Sequence, residues 1–148
     1  MGDNRYDPGE RPPLAEYQKR VGAKQFGRAR EMTEKRRRNS AILDEAFGKS
    51  NKVTILTEGE DVYWNYQYHV VDLGDQMNHV FNFMFSRGIH VMKEDVWDCA
   101  AYDIPGTEYA NCPIARSRNA GLLRLPNNSF LEEKTMFKIA DALLTALN

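Results

Sequence analysis

Residues 62–92 read VYWNYQYHVVDLGDQMNHVFNFMFSRGIHVM, and a change of period inside them decides the fold. From Val62 to Leu73 aromatics alternate with polar residues, as Tyr66 against Gln67 and Tyr68 against His69, which predicts a strand over 62–73. From Asp75 the apolar spacing lengthens to that of a helix. Met77, Val80, Phe81, Met84 and Phe85 share one side, so a helix is predicted over 75–87. Asp72 or Asp75 is placed to cap its first turn, and Gly88 to end it. Ile89–Met92 returns as a strand.

Outward toward the N-terminus, Val53–Leu56 is a short β-branched strand, joined to the next by the turn Thr57–Asp61. Before it, nothing from Leu14 to Phe47 breaks a helix except Gly22 and Gly27, and Gly48 is a natural stop. This stretch is one long helix or two in line with a bend near Gly27. Leu14, Tyr17, Val21 and Phe26 form an apolar stripe in its first half, and Ile42, Leu43, Ala46 and Phe47 resume it in the second. The middle, GRAREMTEKRRRNS, is almost wholly polar and is expected on a solvated face or against another chain. Pro12-Pro13 holds the preceding residues as a loop.

Toward the C-terminus, Lys93–Asn111 reads as irregular, with a turn at Pro105-Gly106. Cys112–Asn119 is a short helix with Pro113 in its first turn, and Leu122–Leu125 a strand stopped by Pro126. Ser129 is the expected cap of a last helix, with Glu132 and Glu133 in its first turn. Leu131, Phe137, Ile139 or Ala140, Leu143, Leu144 and Leu147 supply its apolar face. The fold class is therefore α/β (α+β-like): a small two-layer unit, with helices on one face of a short, mostly antiparallel sheet, preceded by a long N-terminal helix. Three segments are expected: a loop over 1–13, the long helix or helices over 14–48, and a small α/β domain over 49–148.

Composition sets the outer bounds. The 148 residues are 42% hydrophobic and 28% charged, ordinary globular usage for one domain. No apolar run is long enough for a membrane span, and MGDNRYDPGERPP has no signal-peptide core. Two cysteines, Cys99 and Cys112, are too few for a disulfide framework, so a reduced, cytoplasmic protein is expected. Charge is uneven: residues 1–50 carry 12 Lys and Arg against 8 Asp and Glu, whereas 51–148 carry 8 against 13.

Motif chemistry is sparse. His69, His79 and His90 are scattered, with no ligand spacing for a metal. His69 reads as a core histidine and His79 as an exposed one. No GxSxG elbow, phosphate-binding glycine loop or cysteine with an evident histidine partner occurs. Lys35–Arg38, with Lys19, Arg20, Lys24, Arg28 and Arg30, could face nucleic-acid phosphates, but no recognised nucleic-acid motif accompanies it and the pI is about 6.3. A solvated face is the plainer reading.

Three stretches, taken in order, resemble the C-terminal part of the DegT/StrS-type pyridoxal-phosphate-dependent sugar aminotransferases, of fold type I. In residues 14–47, Gln18, Gly22, Gln25 and Arg36–Arg38 match the family's interdomain helix. The strand Tyr66–Val71, followed by a helix ending Arg87-Gly88-Ile89, matches its small domain. NCPIARSRNAGLLRLPNNSFLEEKTMFKIADALL (111–144) matches its closing pattern.

The resemblance implies a large domain earlier in the chain, holding the Schiff-base lysine, the aspartate at the pyridine nitrogen and the phosphate cup. No catalytic residue is therefore assigned within these 148 positions, and pyridoxal phosphate is expected only in company with a large domain. Where the family carries Asn-x-Arg before the interdomain helix, this chain has Arg11-Pro12-Pro13, leaving Asn4, Arg5 and Arg11 as phosphate candidates. Where the family has a His-Tyr-Pro-like substrate loop, this chain has HVMKEDVWDC, making His90, Lys93, Glu94 and Asp95 the substrate candidates. Lys93, near Trp97, has the only suggestive setting for a reactive lysine. The functions implied are a small-domain portion acting on a nucleotide-sugar with a separate large domain, or a non-catalytic binding or dimerisation module. Either predicts a homodimer or partner contact through Leu14, Tyr17, Val21 and Phe26.

Overall fold

The computed structural model describes residues 13–93 and 113–148, apart from the side chains at 115 and 116. The chain divides into two compact units, residues 1–31 and 32–148. Helix α1 (Glu16–Phe47) runs without interruption through Gly22 and Gly27. At its start the Gln18 side chain reaches back to accept the Ala15 N–H at 2.9 Å, which satisfies one of the donors a helix start leaves unpaired. Within the first unit, Leu14, Tyr17, Val21 and Phe26 are all exposed, from 56% at Val21 to 84% at Phe26.

The second unit is a four-stranded sheet with helices on one face. Its strands are β1 (Thr54–Ile55), β2 (Tyr68–Asp72), β3 (Met92–Lys93) and β4 (Leu122–Pro126), in spatial order β1-β2-β4-β3. Every pairing is antiparallel, with His69 opposite Leu125, Val71 opposite Leu123 and Met92 opposite Arg124. Alternation does the sorting. His69, Val71, Leu123 and Leu125 are buried, and the residues between them are not. The buried face joins Leu43 and Phe47 of α1, Val80 and Met84 of α2 (Met77–Ser86), and Met136, Ile139 and Leu143 of α4 (Glu133–Ala146) in one core. Each large side chain so buried contributes about 1.5–3 kcal/mol. Helix α3 (Pro113–Asn119) forms as expected, with proline in its first turn.

Helix α2 ends as its sequence requires. Gly88 takes φ 73°, its N–H donates to the Phe85 carbonyl, and the Ile89 N–H donates to Met84, so two orphaned carbonyls are satisfied by one left-handed residue. Its start differs from expectation. A 3-10 turn at Gly74–Gln76 precedes it, and Asp72 Oδ1 accepts the Gly74 N–H at 3.0 Å instead of capping the helix. Gly121 lies close by: a Cβ there would sit 2.4 Å from Asp72 Oδ1 and 2.8 Å from the Gly74 nitrogen.

Several other expectations are corrected. The strand predicted over 62–73 is regular only from Tyr68, because the backbone polar groups before it are taken by side chains. Arg36 Nε donates to the Asn65 carbonyl at 2.7 Å, Arg37 donates to the Trp64 carbonyl at 2.9 Å, and Glu58 accepts the Trp64 N–H. Tyr66 then turns the chain with φ 46°, a conformation costly for a residue with a Cβ. Half of the basic run is thus consumed in holding residues 58–66 and is not a solvated face. Ser129 does not cap α4: Glu132 stands at the cap without a side-chain bond, and Asn128 accepts the Phe130 N–H in a turn before it. Phe85 and Phe137, assigned to buried faces, are exposed, and Met136 fills the place expected for Phe137.

Candidate functional site

The face of the sheet turned away from the core carries Tyr68, Val70, Leu122, Arg124 and Pro126. A cleft of about 290 Å³ opens there, lined by Gln67, Tyr68, His90, Met92, Arg124, Pro126, Asn127 and Asn128. Strand alternation explains the set. Met92 and Arg124 are register partners, so their side chains share a face, and His90 precedes Met92 by two. The Arg124 guanidinium lies over the Tyr68 ring, 5.2 Å from its centroid, a cation–π arrangement that gives the cleft a flat, positively charged wall. Met92 and Pro126 add apolar surface, and the amides of Gln67, Asn127 and Asn128 border the rest. Such a mixture of a flat wall and amides suits a polar, ring-bearing ligand.

Below the cleft, Asn127 locks three segments together. Its buried Nδ2 donates to the carbonyls of Arg36 and Tyr66 at 3.1 Å each and lies 2.9 Å from the Ser40 hydroxyl. Beside it Arg37 makes a bidentate pair with Glu58 at 2.8 and 3.0 Å and lies 4.3 Å over Tyr63. The hydrogen bonds from Arg37 hold the Glu58 carboxyl below its ordinary pKa, and Glu58 in turn keeps the guanidinium more firmly charged. His69 is buried to 1% exposure against Phe47 and Tyr66, and burial lowers its pKa to about 4.

The candidate residues divide. His90 lines the cleft. Lys93, one residue beyond Met92, belongs to the opposite face: its amine donates to Asn78 Oδ1 of α2 at 2.6 Å and lies 4.6 Å from the Phe81 ring centroid. The grouping of His90 with Lys93 is therefore split by the pleat. Asn4, Arg5, Arg11, Glu94 and Asp95, like Trp97, Cys99 and Cys112, lie outside the described residues. Tyr68, Arg124 and the three amides were not singled out from sequence. The legible signal was Arg124 standing between Leu123 and Leu125, an arginine on the alternate face of a strand.

No lysine lines the cleft. Lys52 is engaged with the Leu147 carbonyl, and Lys134 with Glu132. This cleft, as lined, therefore offers no amine for a covalent seat of pyridoxal phosphate. Nor, among the described residues, do three or more His, Cys, Asp or Glu side chains group as for a metal ion.

No protein-family model matches the sequence, and no curated protein matches it. Solved structures do. DesV of S. venezuelae, in complex with a ketimine intermediate, is 16% identical with a TM-score of 0.77, over 99% of this chain and 41% of DesV. A DegT DnrJ EryC1 StrS aminotransferase from Brucella abortus is 15% identical with a TM-score of 0.70, over 83% of this chain and 33% of its own. Its fold is that of part of a DegT/StrS-type aminotransferase. The PseC aminotransferase of Helicobacter pylori, involved in pseudoaminic acid biosynthesis, is 15% identical with a TM-score of 0.70, over 90% and 37%. The chain thus spans roughly a third to two fifths of the aminotransferases it matches. The strand, helix and Arg-Gly-Ile turn that carried the resemblance in sequence lie in this chain's β2–α2–β3 unit.

Proposed function

We propose that this chain is the small-domain portion of a pyridoxal-phosphate-dependent aminotransferase acting on a nucleotide-linked sugar in the cytoplasm. It works with a lysine-bearing large domain outside these 148 residues. The observation that supports this reading is the match of most of the chain to only a fraction of each aminotransferase. The chain's own share is binding. Tyr68 and Arg124 offer a flat charged wall to a sugar or base, and His90, Gln67 and Asn128 offer hydrogen bonds. Glu94 and Asp95, which follow β3 in sequence, extend that set, and Asn4, Arg5 and Arg11 are the residues offered to a phosphate.

Titration of the labelled chain with a thymidine-diphosphate sugar, followed by NMR, tests the cleft. Shifts concentrated at residues 67–68, 90–92 and 124–128, and lost in Arg124→Ala, are expected. Shifts scattered over the surface, or none, contradict the assignment.

One observation favours a second reading, a non-catalytic dimerisation module of the same fold: Leu14 just before α1, and Tyr17, Val21 and Phe26 in its first three turns, all stand exposed. On that reading Leu14, Tyr17, Val21 and Phe26 meet a second copy. Light scattering then gives a dimer that Tyr17→Glu with Val21→Glu reduces to a monomer, and a strict monomer at high concentration removes it.

A further inference from the structure

At the edge of the core, a buried histidine and a partly exposed aspartate form an ionisable pair that the binding cleft does not use. His69, on β2, has both ring nitrogens buried and without a hydrogen bond among the described residues. Its Nε2 lies 3.6 Å from Asp44 Oδ1 of α1, itself buried and without a hydrogen bond. The imidazole is stacked at 14° on Tyr66, with centroids 6.5 Å apart, and tilted against Phe47 on the other side. Tyr66 is therefore the lid over the histidine. It is also the left-handed residue at the end of the segment that Arg36 and Arg37 pin to α1, and its carbonyl is held by Asn127.

We propose that His69 and Asp44 form a proton-sensing pair at the edge of the core, and that proton uptake by His69 releases the 58–66 segment from α1, with Tyr66 as the hinge. The argument is one of access. The imidazole is flanked by Tyr66 and Phe47, and lifting Tyr66 opens it to water. The Tyr66 carbonyl is held by Asn127, and the two residues before it by Arg36 and Arg37, so release of these bonds frees Tyr66 to move. Protonation is thereby coupled to release.

The charged groups around the ring set the direction. Asp44 on α1 attracts the imidazolium, but its own pKa is raised by burial, so it too resists ionisation where it stands. Tyr66 faces the ring, and behind it Arg37 of α1 and Glu58 of the turn act on Tyr66. On the sheet, β4 presents Leu125 opposite His69 and no charge. Desolvation prevails, and the closed form binds its proton at about pH 4 against an ordinary 6.5. The open form therefore binds more protons between those values. Below about pH 6 the open form gains approaching tenfold per unit, roughly 160-fold by pH 4, where the closed form is itself half protonated. Asp44 acts in the opposite sense: its raised pKa lets the closed form take up a proton first, which offsets part of the gain at the acid end. Glu58 stays ionised above 4.5 because Arg37 holds it lower, so its bonds do not loosen in the upper part of this window.

Hydrogen exchange between pH 7 and 5, corrected for the intrinsic pH dependence, tests this on the full chain. Amide protection across residues 58–66, read at the Trp64 N–H, should fall roughly twentyfold in all between pH 7 and 5, with α4 amides still protected. In His69→Gln, and in His69→Phe should the first fold poorly, the fall should vanish. A pH-independent protection in the parent chain overturns the proposal. So does an unchanged fall in either folded variant, or loss of protection in α4 in step with 58–66.

Discussion

Gly121 shows how one missing side chain lets two segments meet. Its backbone carbonyl accepts the Leu73 N–H at 2.9 Å, and the space a Cβ would need is filled by the Asp72 carboxylate and the backbone of Gly74. Asp72 is held in turn by Arg118 at 3.1 Å. The carboxylate could swing aside, but the Gly74 backbone is fixed between β2 and α2. Gly121→Ala should therefore cost about 1–3 kcal/mol, the usual range for overpacking, read as a lower midpoint in urea with an unchanged slope. An unchanged midpoint would show that the approach is looser than these distances. At this scale sequence reading was uneven. Gly88 was legible as a helix stop because its left-handed turn is a local requirement. Gly121 was not, because its neighbour is some fifty residues away in sequence and no local pattern reports it. The same limit hid Asn127, a residue of ordinary turn composition whose partners are Ser40, Arg36 and Tyr66.

Among the elements, the segment before β2 is the instructive one. Alternating aromatics over 62–73 carry a strand signal, and half of it is obeyed. The other half is overridden by arginines of α1, which offer the Trp64 and Asn65 carbonyls a charged donor in place of a neighbouring strand. Periodicity could not show this, since the arginines lie far away in sequence and read as one more basic run. Removing the guanidinium in Arg37→Gln should speed chymotryptic cleavage at Tyr63 and Trp64 while helix content by circular dichroism stays constant. Equal cleavage of both proteins would refute the pinning role. Acid acts on the same clamp with a definite sign. The Glu58 pKa is depressed in the folded chain, so its contribution is complete above 4.5 and is lost as pH falls through the lower folded value. Helices α2 and α4 were placed well because each has a broad apolar face. The misplaced aromatics, Phe85 and Phe137, lie at the margins of those faces, where hydrophobicity alone does not decide exposure.

For the whole molecule, the order of elements and the two-layer architecture were legible from one change of period and a handful of turn residues. The cleft was only partly so. His90, singled out by its place after Gly88-Ile89, lines the cleft, but its grouping with Lys93 ignored the pleat, which sends Met92 and Lys93 to opposite faces. No helix among the described residues is long and apolar enough to cross a membrane. The account rests on a division of labour, with binding in this chain and the reactive amine in another domain. Borohydride trapping after incubation of the purified chain with pyridoxal phosphate tests it most directly, with peptide mapping of the product. The account predicts only scattered, substoichiometric labelling of surface lysines. A stoichiometric adduct confined to a single lysine would contradict it.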